Sequence, residues 1–313
     1  MAEHWSVTDP LLFSKLPQGG GGIDWLKVSG YGSFSKKGWA LIEALKAAKK
    51  FMGLKEGAVS RCAELGLHLI DMKYREHMTF SHPFLEGVSI VLLHANAGNG
   101  RNYQPLILKI DGLTVCTGRI RSSVGDLGKS RGPAFTIEAS GLTWLRLSEE
   151  GSFRLMERVL SGLGIEVEHL SASRLDACAD LPGATVDEFV SEYQKGHFVT
   201  KAKEGVSLRM SRPDSNGRVR AETLCIKSGA VGLTVYDKVK EAGRDGTGEK
   251  LNLLMENRWG GPVASAVRVE WRFKMSRNRA KRYSSFRELF VGLGDLLGWA
   301  CNCLLYTSPS PRD

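Results

Sequence analysis

The sequence predicts an α+β protein with a mainly antiparallel central sheet flanked by helices, and three observations carry this. Leu106-Ile-Leu-Lys-Ile and Leu113-Thr-Val-Cys are two apolar runs joined by Asp111-Gly112, the two-residue turn that suits an antiparallel hairpin. Later segments alternate apolar and polar residues at strand period, and two capping-box patterns, Thr185-x-x-Glu188 and Ser285-x-x-Glu288, announce helices on either side of them. Neither a G-x-G-x-x-G fingerprint nor a repeating βα alternation points to a doubly wound sheet.

The elements follow in order. Residues 1–22 read as a flexible leader ending in the glycine run Gly19–Gly22, which lacks the G-K-[ST] of a phosphate loop. Ile23–Val28 reads as a strand. Trp39–Met52 reads as an amphipathic helix with Trp39, Ile42, Leu45 and Met52 inward. Val88–Leu93 is a buried-strand run, the hairpin follows, and Phe135–Glu138 continues the strands. Phe153–Leu163 reads as a helix, and the capping boxes lead into Phe189-Val190-Tyr193 and Phe286-Leu289-Phe290-Leu293. We expect one unit over 23–302, with an N-terminal half at 23–150 and a second half at 151–302. Cys303–Asp313 (CLLYTSPSPRD) resembles a translated sequencing adapter and reads as a tail without a periodic apolar face, so the native chain is expected to continue differently beyond Asn302.

With 313 residues and 42% hydrophobic content, the chain can bury one large core or two modest ones. No apolar run is long enough for a membrane span and Met1–Pro10 does not read as a signal peptide, so a cytoplasmic protein with no membrane partner is expected. The six cysteines show neither C-x-x-C pairs nor zinc spacing, which suits reduced thiols. Between Lys201 and Arg282 there are 19 Lys and Arg against 9 Asp and Glu, whereas the remainder is close to neutral. That segment also carries Trp259, Trp271, Phe273 and Tyr283, a composition that suits a polyanion with bases able to stack, and equally a solvated charged surface.

Three short segments hold the candidate chemistry. In Ser173–Asp180 one strand face carries Arg174, Asp176, Cys178 and Asp180. In Leu233–Lys238 it carries Thr234, Tyr236 and Lys238, and in Val267–Lys274 it carries Arg268, Glu270, Arg272 and Lys274. If the three strands are neighbours, their apolar faces pack on the core and their polar faces assemble one patch. Carboxylates are the hard ligands that Mg²⁺ or Mn²⁺ prefers, which makes Asp176 and Glu270, with Asp180 or Asp237, candidate metal ligands. A tyrosine nucleophile needs a metal or a cation beside it to favour the phenolate, and Lys238 stands two residues from Tyr236. Arginines on that face suit flanking phosphates. The competing interpretation is ordinary cross-strand ion pairing on half-exposed strands.

The order R-L-D-x-x-x-D, Y-D-K-x-x-E, R-x-E over Ser173–Lys274, with Ile23-Asp24-Trp25-Leu26 near the start, resembles the replication initiation factor family of plasmids and filamentous-type phages, the Rep_trans group of rolling-circle initiators. The resemblance covers residues 23 to about 300. It implies an enzyme that nicks one DNA strand at an origin by tyrosine transesterification, stays bound to the 5′ phosphate and leaves a 3′-OH primer. It implies Tyr236 as nucleophile, Asp176 and Glu270 as ligands of a divalent metal, and Lys238 and Arg268 as partners of the phosphate charge. Arg174, Arg272, Lys274, Arg277, Arg279, Lys281 and Arg282 are the expected DNA contacts. Single-stranded or cruciform origin DNA, host helicase and polymerase, and a second copy in a homodimer are the partners that follow from such a role. No His-x-His pair is present, so metal binding rests on carboxylates. Two other functions stay open: a DNA-binding regulator that does not cut, and a metal-dependent nuclease in which water attacks and Tyr236 stacks on a base.

Overall fold

The computed structural model describes residues 21–50, 60, 62–73, 75–81, 88–96, 105–118, 133–195, 199–200, 205–213, 215–274, 282–294 and 305–306. Its centre is a twelve-stranded sheet in the order β10-β11-β12-β13-β8-β1-β7-β6-β5-β4-β3-β2, every neighbouring pair antiparallel. The strands are β1 Gly21–Phe34, β2 His68–Lys73, β3 His77–Ser81, β4 Ser89–Leu93, β5 Leu106–Ile110, β6 Leu113–Thr117, β7 Phe135–Ala139, β8 Ile165–Pro182, β10 Val206–Met210, β11 Ala221–Ser228, β12 Val231–Asp237 and β13 Ala266–Lys274. A separate pairing joins β9 Val199–Thr200 to β14 Leu305–Tyr306, within the adapter-like stretch. The α+β class with a mainly antiparallel sheet is therefore the observed one.

The hairpin lies where the sequence puts it. Ile110 pairs with Leu113, and Asp111 (φ 46°) and Gly112 (φ 81°) take the left-handed conformations that a two-residue turn of this hand requires. β1 begins at Gly21, two residues before the expected strand, because Gly21 and Gly22 already pair with Ala179 and Cys178. Further along, Gly30 is needed for close packing: a Cβ there would lie 1.9 Å from the Phe135 ring.

Helices Lys36–Lys50, Glu149–Gly162 and 286–294 cover the sheet and share its main core. Leu41, Ile42 and Leu45, then Phe153, Met156 and Val159, then Phe286, Leu289 and Leu293 meet Leu26, Val28, Leu175 and Phe273 there. Ser148 starts the second of these by accepting a hydrogen bond from the Gly151 amide at 3.1 Å. The box at Thr185 is formed, with the Thr185 amide donating to Glu188 at 2.7 Å, and helix Val186–Gln194 packs over β11 and β12. At Ser285 the hydroxyl accepts from the Glu288 amide at 3.1 Å.

Short helices Gly141–Arg146, Lys238–Ala242 and Glu249–Leu254, the last continuing as a π-helix Met255–Trp259, gather at one end of the central strands. Leu145, Ala242, Leu254, Trp259 and Ala266 form a second, smaller core there. Among the described residues no helix is long and apolar enough to cross a membrane. Cys62, Cys116, Cys178 and Cys225 are free thiols.

Candidate active site

The three polar strand segments are neighbours, in the order β12-β13-β8, with β1 beside β8. Register places Tyr236 opposite Arg268 and Thr234 opposite Glu270. On the other side of β13, Arg268 lies opposite Asp180, Glu270 opposite Cys178 and Arg272 opposite Asp176. The polar residues thus share one face, over which lies a cleft of about 560 Å³.

Tyr236, Asp176 and Glu270 line this cleft together with Arg174, Arg272 and Asp24. The Tyr236 hydroxyl donates to Glu270 Oε2 at 2.9 Å. Arg272 bridges the two carboxylates, its Nε reaching Asp176 Oδ2 and its Nη2 reaching Glu270 Oε1, each at 3.1 Å. Arg174 Nε donates to Asp176 Oδ1 at 2.9 Å, and its Nη2 bonds the other oxygen in a fork-to-fork pair. Asp176 is almost wholly buried, whereas the Arg272 side chain is 44% exposed.

Burial raises the Glu270 pKa, and the charges of Asp24 and Asp176 raise it further. Burial also pushes the Tyr236 phenol well above its ordinary range; Arg268 opposes this and Glu270 adds to it. The phenol is consequently held as a hydrogen-bond donor in the resting site.

Lys238 departs from the expected geometry. β12 ends at Asp237, whose carboxylate accepts from the Lys240 amide at 2.9 Å and caps helix Lys238–Ala242, so Lys238 begins a helix rather than continuing the strand face. Its Nζ still comes within 3.5 Å of the Tyr236 oxygen, and it pairs with Glu241 at 2.6 Å. Glu241 in turn accepts from Lys250 at 2.7 Å. Burial, with Arg268 nearby, lowers the Lys238 pKa to about 8.

Arg268 and Asp180 are not where their expected roles require. Arg268 is fully buried, donates to both oxygens of Asp180 at 2.6 and 2.7 Å, and pairs with Asp24. The Trp259 indole N–H donates to the same Asp180 at 3.0 Å. Neither Arg268 nor Asp180 lines the cleft. Arg268 is therefore a structural cation beneath the site rather than a phosphate contact, and Asp180 has no oxygen turned toward a cleft metal. Asp237 reaches the cleft wall but is occupied as a helix cap.

Among the described residues no three His, Cys, Asp or Glu side chains are gathered as ligands of one ion. Asp176 and Glu270 supply the oxygens a hard divalent cation takes, and the guanidinium of Arg272 sits between them. Arg272 occupies the space between the two carboxylates, so a cation there would require that guanidinium to move. Lys274 and Arg282 are exposed and are not among the cleft-lining residues, while Arg277, Arg279 and Lys281 lie outside the described residues.

Asp24 is the carboxylate that strand periodicity does not find. β1 has a bulge against β8 between Ile23 and Trp25, with Ile23 opposite Ala177 and Trp25 opposite Asp176. The extra residue lets Asp24 and Trp25 both reach the cleft, although strict alternation turns only one of them that way. Burial raises the Asp24 pKa, but the surrounding charges of Arg268, Lys238, Lys250 and Arg258 together outweigh it and hold the carboxyl below its ordinary value. The basic rim of Arg209, Lys240, Arg244 and Lys250 was equally hidden, because these residues come from a strand edge and three short helical segments.

No family model matches the sequence, and no curated protein matches it. Among solved structures, the chain is similar to one described as "Structure of Rolling Circle Replication Initiator Protein from Geobacillus stearothermophilus", at 14% identity and a TM-score of 0.43, with 94% of this chain and 88% of that chain covered.

Proposed function

We propose that the protein is a rolling-circle replication initiator that nicks one DNA strand through a covalent 5′-phosphotyrosine on Tyr236. The observation that carries this reading is the Tyr236 hydroxyl, hydrogen-bonded to Glu270 inside a cleft that also holds Asp176 and a rim of arginines and lysines. A phosphodiester is the substrate that needs such a mixture: cations for its flanking phosphates, and a nucleophile with a proton acceptor in contact.

In the proposed step the Tyr236 oxygen attacks phosphorus while its proton passes to Glu270 Oε2. The Oη–P bond forms, the P–O3′ bond breaks, and the leaving oxygen takes up a proton from solvent water to become the 3′-OH. Lys238 contributes a positive charge within 3.5 Å of the developing phenolate. Arg174 and Arg272 are placed to meet phosphate oxygens, and Asp176 orients both as long as no cation takes the place of the Arg272 guanidinium. A divalent cation held by Asp176 and Glu270 would neutralise charge on the attacked phosphate. Origin DNA in single-stranded or cruciform form is the substrate this reading implies, with host helicase and polymerase taking over the exposed primer.

One observation favours a second reading, in which water attacks. Burial holds the phenol strongly protonated, which also suits a tyrosine that only orients Glu270. Tyr236→Phe separates the two readings, since it removes the oxygen and keeps the ring. On supercoiled DNA carrying the cognate origin, nicking and the covalent adduct should vanish together. Cutting that persists without an adduct assigns the attack to water, and an adduct mapped to another residue removes Tyr236 from the role.

A further inference from the structure

Trp25 has no assigned part in this chemistry, yet its position is unusual for so large a ring. It lines the cleft and belongs to neither hydrophobic core, although the residues flanking the bulge, Ile23 and Leu26, are buried in the larger one. The Arg174 guanidinium carbon lies 5.1 Å from the ring centroid, and that guanidinium is held by Asp176. The result is an indole and a guanidinium in contact, half-exposed and prearranged, on the wall that also carries Asp176 and Tyr236. The ring is only partly buried, and the bulge beside it, the first of three register shifts along the β1–β8 ladder, lets both Asp24 and Trp25 reach the cleft.

We infer that Trp25, backed by Arg174, is a stacking platform for an unpaired nucleobase beside the attacked phosphate. An indole face offers a base what the surrounding cations offer the phosphates, and a planar guanidinium in contact with it extends the same surface. A base within a duplex has both faces already stacked, so the platform selects for a single strand. Its action is that of a positioning residue: it fixes the nucleotide, and through it the phosphorus in front of Tyr236. This rests on the reading of the cleft as a strand-nicking site.

The test compares an oligothymidylate of about a dozen nucleotides with a fully abasic strand of the same phosphate count, at one salt concentration. Wild-type protein should bind the thymidylate more tightly by roughly tenfold, the scale of one base stacked on an aromatic ring. Trp25→Ala should lose that preference while binding the abasic strand as wild type does, and Trp25→Phe should recover most of it. Equal preference in wild type and Trp25→Ala would overturn the inference, leaving the ring as a prop for Arg174. Adduct formation by the wild-type protein on origin DNA, assayed in parallel, tells the two failures apart. If the adduct forms but base preference ignores Trp25, only the platform is wrong; if wild type binds neither strand and forms no adduct, the nicking reading fails with it.

Discussion

At Asp180 and Arg268 the polar face of β8 and β13 is sealed, whereas a little further along the same strands, at Asp176 and Arg272, it opens into the cleft. The sealed region holds a buried arginine bonded to both oxygens of one aspartate and paired with Asp24, with an indole N–H closing the set. The open region uses the same residue types with one cation 44% exposed and a tyrosine hydroxyl turned toward a carboxylate. What separates them is cover: the small core of Leu145, Ala242, Leu254, Trp259 and Ala266 sits over one end of the strands and leaves the other bare. Identical alternation therefore yields a foundation in one place and an open cleft in the next, and the packed helices decide which.

The strongest test of this contrast is Arg268→Met. Removing the guanidinium leaves Asp180 and Asp24 without their cation, and a broken buried pair costs about 3–5 kcal/mol. Chemical denaturation should show that loss, and adding Asp180→Leu should return a good part of it, because an apolar pair needs no compensation. A stability close to wild type in the single variant would mean that the sealed region is not a foundation.

On the open side, Glu270→Gln should lower strand cleavage by about a hundredfold or more, the scale of a lost general base, while the denaturation midpoint barely moves. Asp176→Asn should likewise reduce cleavage with the fold retained, and excess chelator should abolish cleavage if the two carboxylates hold a divalent cation. Crossed outcomes, with stability lost at Glu270 or activity alone lost at Arg268, would erase the distinction.

Lys238 lies between the two regions and gives a test that depends on pH. Its pKa near 8 leaves it charged below that value, so cleavage should fall as pH rises beyond about 8, and Lys238→Arg should keep its rate into the alkaline range. The sign for stability is opposite. The folded-state pKa lies below the ordinary 10.5 of an unfolded lysine, so the burial cost is present below about pH 8 and disappears between there and about 10.5. The stability gap between Lys238→Met and wild type should therefore narrow over that range. The smallest effect belongs to the rim: Arg209→Glu and Arg244→Glu should each flatten the dependence of log affinity on log salt by about one contact or more without a cleavage defect at saturating DNA.

Much of this was legible from residues alone, for reasons that can be named. The Asp111-Gly112 turn, the Thr185 and Ser285 caps and the faces of β8, β12 and β13 all depend on interactions between residues close in sequence, which pattern reports directly. Asp24 was hidden because a bulge breaks the period of two on which the inference depends. Lys238 was placed on a strand because nothing in Tyr236-Asp237-Lys238 reveals that Asp237 will cap a helix. The sequence assigns Arg268 to the phosphate and Asp180 to a metal because alternation tells which way a side chain points and not what will be packed above it.

The strand order has a consequence for how the protein comes into being. β13 enters the sheet between β12 and β8, although it follows both in the chain, and it brings Arg268, Glu270 and Arg272 at once. Until residues 266–274 have been synthesised, β8 and β12 present unpaired edges to one another across an empty slot, Asp180 has no cation and Tyr236 has no carboxylate. Such non-local pairing is slow to form and exposes strand edges while it waits. A nascent or truncated chain ending before Ala266 carries Tyr236 without the Glu270 carboxylate that its hydroxyl meets, so on the proposed reading the site is complete only in a chain that has closed its own sheet.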